Sequence, residues 1–399
     1  MNIKVDSCVC NPDKILNNAN IRINSKLLKN KTSQIDCTNL IAYPPFINSH
    51  DHLISNWYPK AGFGKTYPNV NIWVEDMKKT DSFLERNKVW INDGSFDLTQ
   101  TEANQIVQLG IYKNLFSGCA VVQDHIPNQK QSYYKNNPIN VLENFTQHHS
   151  LSMGNWWGGG SAEEEFAKTD GKIPFITHLG EGIDKLSEMC FPKLKELNLL
   201  QPNTLLIHGI ALSKDQIKEC AKAGTTICWC PDSNYYLVGE TLDVDACFEY
   251  GVNVVLGTDS TMSGGINLLE EIRFAHHKFP HIPMKQIYEM ISTNAVYALK
   301  LTDEYGTIEE NTSNLLLIKK HDEDPFRNIL KAYMEDIELL MHRGVPIYGD
   351  AKFLDEFSIN EDNYYFFGKN RFVYGHPEKI TKFINNKLGY KKDFPFLPF

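Results

Sequence analysis

The 399-residue chain has no uninterrupted apolar run of about eighteen residues, so no transmembrane helix is expected. Its opening, Met1-Asn-Ile-Lys-Val-Asp6, is polar and lacks the apolar core of a secretion signal. A basic excess is missing too. The 40 Lys and Arg face 49 Asp and Glu, a net charge of −9, which argues against a nucleic-acid grip. The nine cysteines include the C-x-C pairs Cys8/Cys10 and Cys228/Cys230, but none has the C-x-x-C spacing of zinc knuckles or thioredoxin-like sites. An odd number scattered over a long chain reads as buried, reduced thiols in a cytoplasmic protein. There is no low-complexity segment and no repeat beyond an alternation of strands and helices. The remaining mixture, 42% hydrophobic and 22% charged, is globular and long enough for one large domain or two ordinary ones.

The sequence is organised around Phe46-Ile-Asn-Ser-His-Asp-His52. Along a strand, side chains at i and i+2 share a face, so His50 and His52 can close on one metal ion. Alone, His-x-His is a weak signal. Here further apolar runs also end in a metal-type residue: Pro174-Phe-Ile-Thr-His178, Thr204-Leu-Leu-Ile-His208 and Val252-Asn-Val-Val-Leu-Gly-Thr-Asp259. From residue 173 onward, strands at 173–178, 204–208, 225–230 and 252–258 alternate with helical patterns. Nearly continuous apolar strands that alternate with helices mean a parallel sheet covered by helices. Over residues 46–312 the pattern predicts an α/β fold, a TIM-like (β/α)8 barrel whose catalytic groups sit at the C-terminal strand ends. Residues 126–172 are short for two complete β/α units. Residues 1–45 and 313–350 read as short strands that form one small β domain from both chain ends, and 350–399 as an extension with a helix near His376–Leu388.

A hydrolytic zinc needs about three protein ligands and a position for water. His50, His52, His178, His208 and Asp259 offer suitable types. Glu181, three residues past His178, is free for proton transfer. Residues 54–75 read as a long aromatic-rich loop, with helices following near 76–92 and 99–117, the second capped by Thr99 and Glu102. Trp57 and Phe63 in that loop, and Trp156-Trp157 before three glycines, are expected to line a pocket for a flat heteroaromatic ring.

These motifs, together with His208-Gly, Pro231-Asp-Ser-Asn234, Leu256-Gly-Thr-Asp-Ser260 and Thr293-Asn-Ala295, resemble the amidohydrolase superfamily. The similarity runs over about residues 40–350 and is strongest to the branch of guanine and cytosine deaminases and s-triazine hydrolases. It implies a metal-dependent barrel of residues 46–312, plus a small β-sandwich from 1–45 and 313–399. It implies one divalent metal, zinc or iron, on His50, His52, His178 and Asp259. Asp259 would also take a proton from water, His208 would orient that water, and Glu181 would protonate a ring nitrogen. Asn234 joins the substrate-binding set. No strand-tip lysine between 119 and 178 offers a bridge, which favours one ion over two. Asp51 departs from the family pattern, since a small or hydroxyl residue is usual between the two histidines. The function implied is an aminohydrolase acting on a nitrogen heterocycle. An amidase, a chlorohydrolase and a non-catalytic binding barrel stand as alternatives, and a homodimer is left open. No nucleic-acid or membrane partner is expected.

Overall fold

The computed structural model describes residues 1–29, 33–89, 101–126, 134, 137–155 and 158–399. The strands that carry the metal-type residues lie in two parallel sheets. One has three strands in the order Phe46–Asp51, Cys119–Asp124, Asn140–Val141. The other has five, in the order Val254–Leu256, Thr226–Trp229, Thr204–His208, Phe175–Leu179, Thr146–Ser150. The sheets meet where the backbone N–H groups of Thr258 and Asp259 donate to the carbonyl of His50, at 3.0 and 3.2 Å. Gly257 permits this approach, because a Cβ there would lie 2.7 Å from the Cβ of His50.

Both chain ends contribute to one mixed sheet. Asn2–Asn11 pairs parallel with Gln34–Tyr43, which pairs antiparallel with Leu315–Lys319, and Ile337–His342 and Val345–Asp350 continue it. Among the described residues this sheet has ten strands, nine in one path and one, Lys14–Asn17, paired beside Asn2–Asn11. The C-terminal residues, which the sequence leaves without a role, close its edge with the hairpin Tyr364–Phe367 and Arg371–Tyr374. The helix Pro377–Leu388 then packs on Thr101–Phe116 and Asp81–Val89. All nine cysteines are free and buried. Among the described residues no helix is long and apolar enough to cross a membrane.

Local structure departs from expectation where a cap or turn was overlooked. The expected loop 54–75 contains a 3-10 turn, Leu53–Trp57, and the helix Val70–Met77. The side chain of Asn69 accepts from Ile72 N–H at 3.0 Å and starts that helix earlier than its apolar period suggests. Pro231 likewise opens a helix, Pro231–Leu237; proline at the first helical turn loses no hydrogen bond. The stretch 126–172, short for two complete β/α units, contains the strands Asn140–Val141 and Thr146–Ser150. The proposed Thr99 cap lies outside the described residues; the helix is seen from Thr101 to Phe116.

Candidate metal centre and pocket

Strand alternation and strand ends bring six sequence-selected residues together. His50 and His52 come from the first parallel strand, His178 from Phe175–Leu179, and His208 from the end of Thr204–His208. Asp259 lies just beyond Val254–Leu256, and Glu181 just beyond the His178 strand. The carboxylate Oδ1 of Asp259 is 3.6 Å from His52 Nε2 and 4.0 Å from His50 Nε2. Glu181 Oε1 is 3.5 Å from His208 Nε2. Two of the six, His208 (φ 71°) and Asp259 (φ 51°), have left-handed backbones, which a side-chain-bearing residue adopts only when its surroundings hold it there.

The imidazoles are oriented from behind. His52 Nδ1 faces the backbone oxygen of His125 at 2.8 Å, and His178 Nδ1 that of His149 at 2.7 Å. His50 Nδ1 faces Gln123 Oε1 at 3.3 Å, and His208 Nδ1 faces Asn234 Oδ1 at 2.8 Å. Each partner is an acceptor, so Nδ1 carries the proton and Nε2 turns its lone pair inward. The buried Nε2 atoms of His50 and His208 have no hydrogen-bond partner. Buried polar atoms in proteins are rarely left so, and a cation satisfies them together. His50, His52 and Asp259 place donor atoms within 4.8 Å of one another, as do His50, His178 and His208.

Burial lowers the pKa of His50 and His178 well below the ordinary histidine value, with neighbouring imidazoles adding to the effect, so both are neutral imidazoles at pH 7. Burial, reinforced by Asp259, raises Glu181 well above the carboxylate range. Burial would raise Asp259 as well, but His52, His50, His208 and the Ser233 hydroxyl outweigh it and hold Asp259 well below the usual range. Ser233 Oγ and Ser263 Oγ each donate to Asp259 Oδ2 at 2.8 Å. Two neighbouring carboxyls are thus pushed apart, one toward the acid form and one toward the base form.

A buried ion pair lies behind this centre. Lys113, fully buried, donates to Asp51 Oδ2 at 3.2 Å, Asn56 Oδ1 at 2.9 Å, Thr258 Oγ1 at 3.1 Å and the Asp259 carbonyl at 3.0 Å. Asn56 and Asn114 also donate to Asp51, at 2.9 and 2.8 Å. The unusual acid between the two histidines is therefore the partner of a lysine from the helix Thr101–Phe116. The sequence reading missed Lys113, because a lysine in a helix is normally solvated.

A cavity opens at the centre, lined by His52, His149, His178, Glu181 and Asp259 and by the apolar Val70, Trp73, Val74, Met77, Met153 and Met262. The expected pocket aromatics are placed elsewhere. Trp57 is 1% exposed and packs on Phe394, with Lys392 over its ring. It is core because the C-terminal tail covers it. Phe63 is 56% exposed and does not line the cavity, since its loop turns outward. Asn234 is buried behind His208, bonded to it and to Thr241 Oγ1, and so orients the imidazole and does not face the cavity. Trp156 and Trp157 lie outside the described residues. Trp73, on the helix capped by Asn69, supplies the aromatic wall instead. Trp57→Ala is accordingly expected to cost about 3–5 kcal/mol of stability, as large-to-small core changes do, and to leave the Michaelis constant unchanged. Thermal unfolding and steady-state kinetics on the same preparation check this.

This arrangement is a candidate metal centre at strand tips with a neighbouring acid. The family model described as "Amidohydrolase family" matches residues 164–347. A 5-methylthioadenosine/S-adenosylhomocysteine deaminase of Thermococcus sibiricus is 24% identical over 74% of this chain and 78% of its own length. An aminodeoxyfutalosine deaminase of Deinococcus radiodurans is 40% identical, but over 22% of this chain and only 21% of that protein's length. The crystal structure of the zinc-complexed atrazine chlorohydrolase TrzN of Arthrobacter aurescens TC1 superposes with a TM-score of 0.72 at 16% identity, covering 97% of this chain and 99% of that one. Residues 164–347 are thus similar to the amidohydrolase family, and the superposition shows that the chain shares the fold of that chlorohydrolase.

Proposed function

We propose that the chain is a metal-dependent aminohydrolase that releases ammonia from a nitrogen heterocycle. The observation that carries the reading is the set of inward-facing Nε2 atoms around Asp259, each histidine fixed from behind by an oxygen on its Nδ1. His50, His52, His178 and Asp259 would hold one divalent ion, with zinc favoured by histidine-rich ligation. When bound, such an ion supplies Lewis acidity that brings the pKa of a water down to about 7. Asp259, kept ionised, accepts a proton. Glu181, kept protonated, delivers one to the ring nitrogen beside the carbon that loses ammonia. His208, 3.5 Å from Glu181, steadies that acid and the charge that develops next to it.

Relatives named as deaminases support the reaction class. The wall of Trp73, Met77, Met153 and Met262 suits a planar ring with an apolar substituent, such as the methylthio group in one relative's name. We further read the eight parallel strands as one closed (β/α)8 barrel over 46–312. The ends 1–45 and 313–399 make the accessory β domain, and the reduced thiols fit a cytoplasmic setting.

Elemental analysis and an ammonia-release screen test the function. One tightly held zinc per chain is expected, with ammonia released from a member of a panel of purines, pyrimidines, pterins and triazines that includes 5-methylthioadenosine. Chloride release from a chlorotriazine without deamination would move the reading to a chlorohydrolase. Protein that binds no metal under replete conditions would leave a binding barrel.

A further inference from the structure

A third group of histidines stands beside the centre, and the aminohydrolase reading leaves two of its members unused. His125 follows the strand Cys119–Asp124, His149 lies in Thr146–Ser150, and His178 is shared with the centre. One ring nitrogen from each lies within 4.8 Å of the others. The ring centroids of His125 and His178 are 4.5 Å apart, and those of His149 and His178 are 5.2 Å apart. His125 is 1% exposed, and its ring nitrogens have no partner beyond an approach to the backbone of His149. A buried imidazole in that condition is rare unless something absent from the protein chain completes it.

The trio shares no member with His50, His52 and Asp259, which also converge within 4.8 Å. Two sets of three ligands therefore sit side by side, and three protein ligands are enough for zinc. We propose that His125, His149 and His178 form a second cation position that takes a late first-row divalent ion as a weaker second equivalent. Three imidazoles without a carboxylate select zinc, cobalt or nickel over magnesium or calcium. His178 is the ligand in contention. Its Nδ1 is engaged by the His149 carbonyl, so its single Nε2 serves one ion at a time. At one equivalent it joins His50, His52 and Asp259. At two it turns to His125 and His149, and the first ion stays on the other three. His149 and His178 both line the cavity, so the second ion narrows it, and excess zinc inhibits.

This rests on the reading of the first position as a metal centre, and the test separates the two. Chelator-stripped full-length protein is dialysed against graded zinc and analysed for bound metal, and cobalt(II) absorption of the native protein is followed in parallel. The expected result is two equivalents with distinct affinities and a second cobalt band after the first is complete. His125→Ala should bind one equivalent, with the affinity of the first unaltered. Asp259→Asn should instead weaken the first. His125→Gln, closer in size, serves if the alanine variant does not fold. Wild-type protein that stops at one equivalent overturns this inference and leaves the catalytic centre standing. Two equivalents retained in His125→Ala put the second ion elsewhere and also overturn it. No bound metal at all overturns both.

Discussion

Replacing Glu181 with glutamine should lower turnover by ~10² or more, the usual scale for a positioned general acid, while metal content and fold stay intact. The amide is nearly isosteric with the carboxyl. Glu181 also pairs with His208 and, although its carboxylate lies within 4.8 Å of Asp259, it is not one of the four residues proposed to hold the ion. Burial, with Asp259 nearby, raises the Glu181 pKa well above the ordinary value and so favours the acid form. The sign of the pH dependence follows. Activity that needs this proton falls as pH rises through the raised pKa, and that limb should vanish in Glu181→Gln. Asp259→Asn should behave differently, losing turnover and zinc together, because Asp259 is assigned both as ligand and as base. Metal analysis and pH–rate profiles of the two variants distinguish these roles. If Glu181→Gln loses zinc while Asp259→Asn retains it, the assignment is reversed. If Glu181→Gln keeps full turnover, ring protonation is not part of the reaction.

The residues that converge at this centre were legible because their signals are local. A two-residue period placed His50 and His52 on one face, and runs of apolar residues ending in His178, His208 and Asp259 marked strand tips. The remaining features depend on contacts between distant segments. Trp57 reads as a pocket wall in a loop rich in aromatics, but Phe394 and Lys392 from the far end of the chain cover it. Trp73 was hidden because its helix begins at an asparagine cap inside that apparent loop. The Asn69 signal was present in the sequence and outweighed by the surrounding Gly and Pro. His149 lies in a strand too, but the short and irregular stretch 126–172 concealed where that strand lies, whereas His125 closes a legible apolar run, Cys119-Ala-Val-Val-Gln-Asp-His125. The pairing of the chain ends followed from a physical constraint, since neither end can bury a core by itself. The hairpin and helix of 364–388 carry no chemistry, and nothing in their composition announced that they would edge the sheet and brace the tail against Trp57.

Asp51→Ala is expected to be among the most destabilising single changes outside the hydrophobic core. Asp51 and Lys113 are both fully buried, and removing one member of a buried ion pair leaves the other charge uncompensated, at about 3–5 kcal/mol. The hydrogen bonds that Lys113 would still donate, to Asn56 Oδ1, Thr258 Oγ1 and the Asp259 carbonyl, go to neutral groups and do not replace a carboxylate. Removing both charges should be milder. Asp51→Asn with Lys113→Met keeps volume, and the new amide oxygen can still accept from Asn56 or Asn114, so the double variant should recover part of the loss. The pair also touches function. Lys113 holds the carbonyl of Asp259, whose left-handed backbone aims its carboxylate at His50 and His52. Recovery of stability in the double variant should therefore come without full recovery of zinc affinity. Denaturant titration of the apo forms, read beside equilibrium dialysis against zinc, measures the two effects separately. A stability loss under about 1 kcal/mol for Asp51→Ala would mean that water or a rearranged side chain reaches Lys113. A double variant with wild-type zinc affinity would confine the pair to a purely structural role.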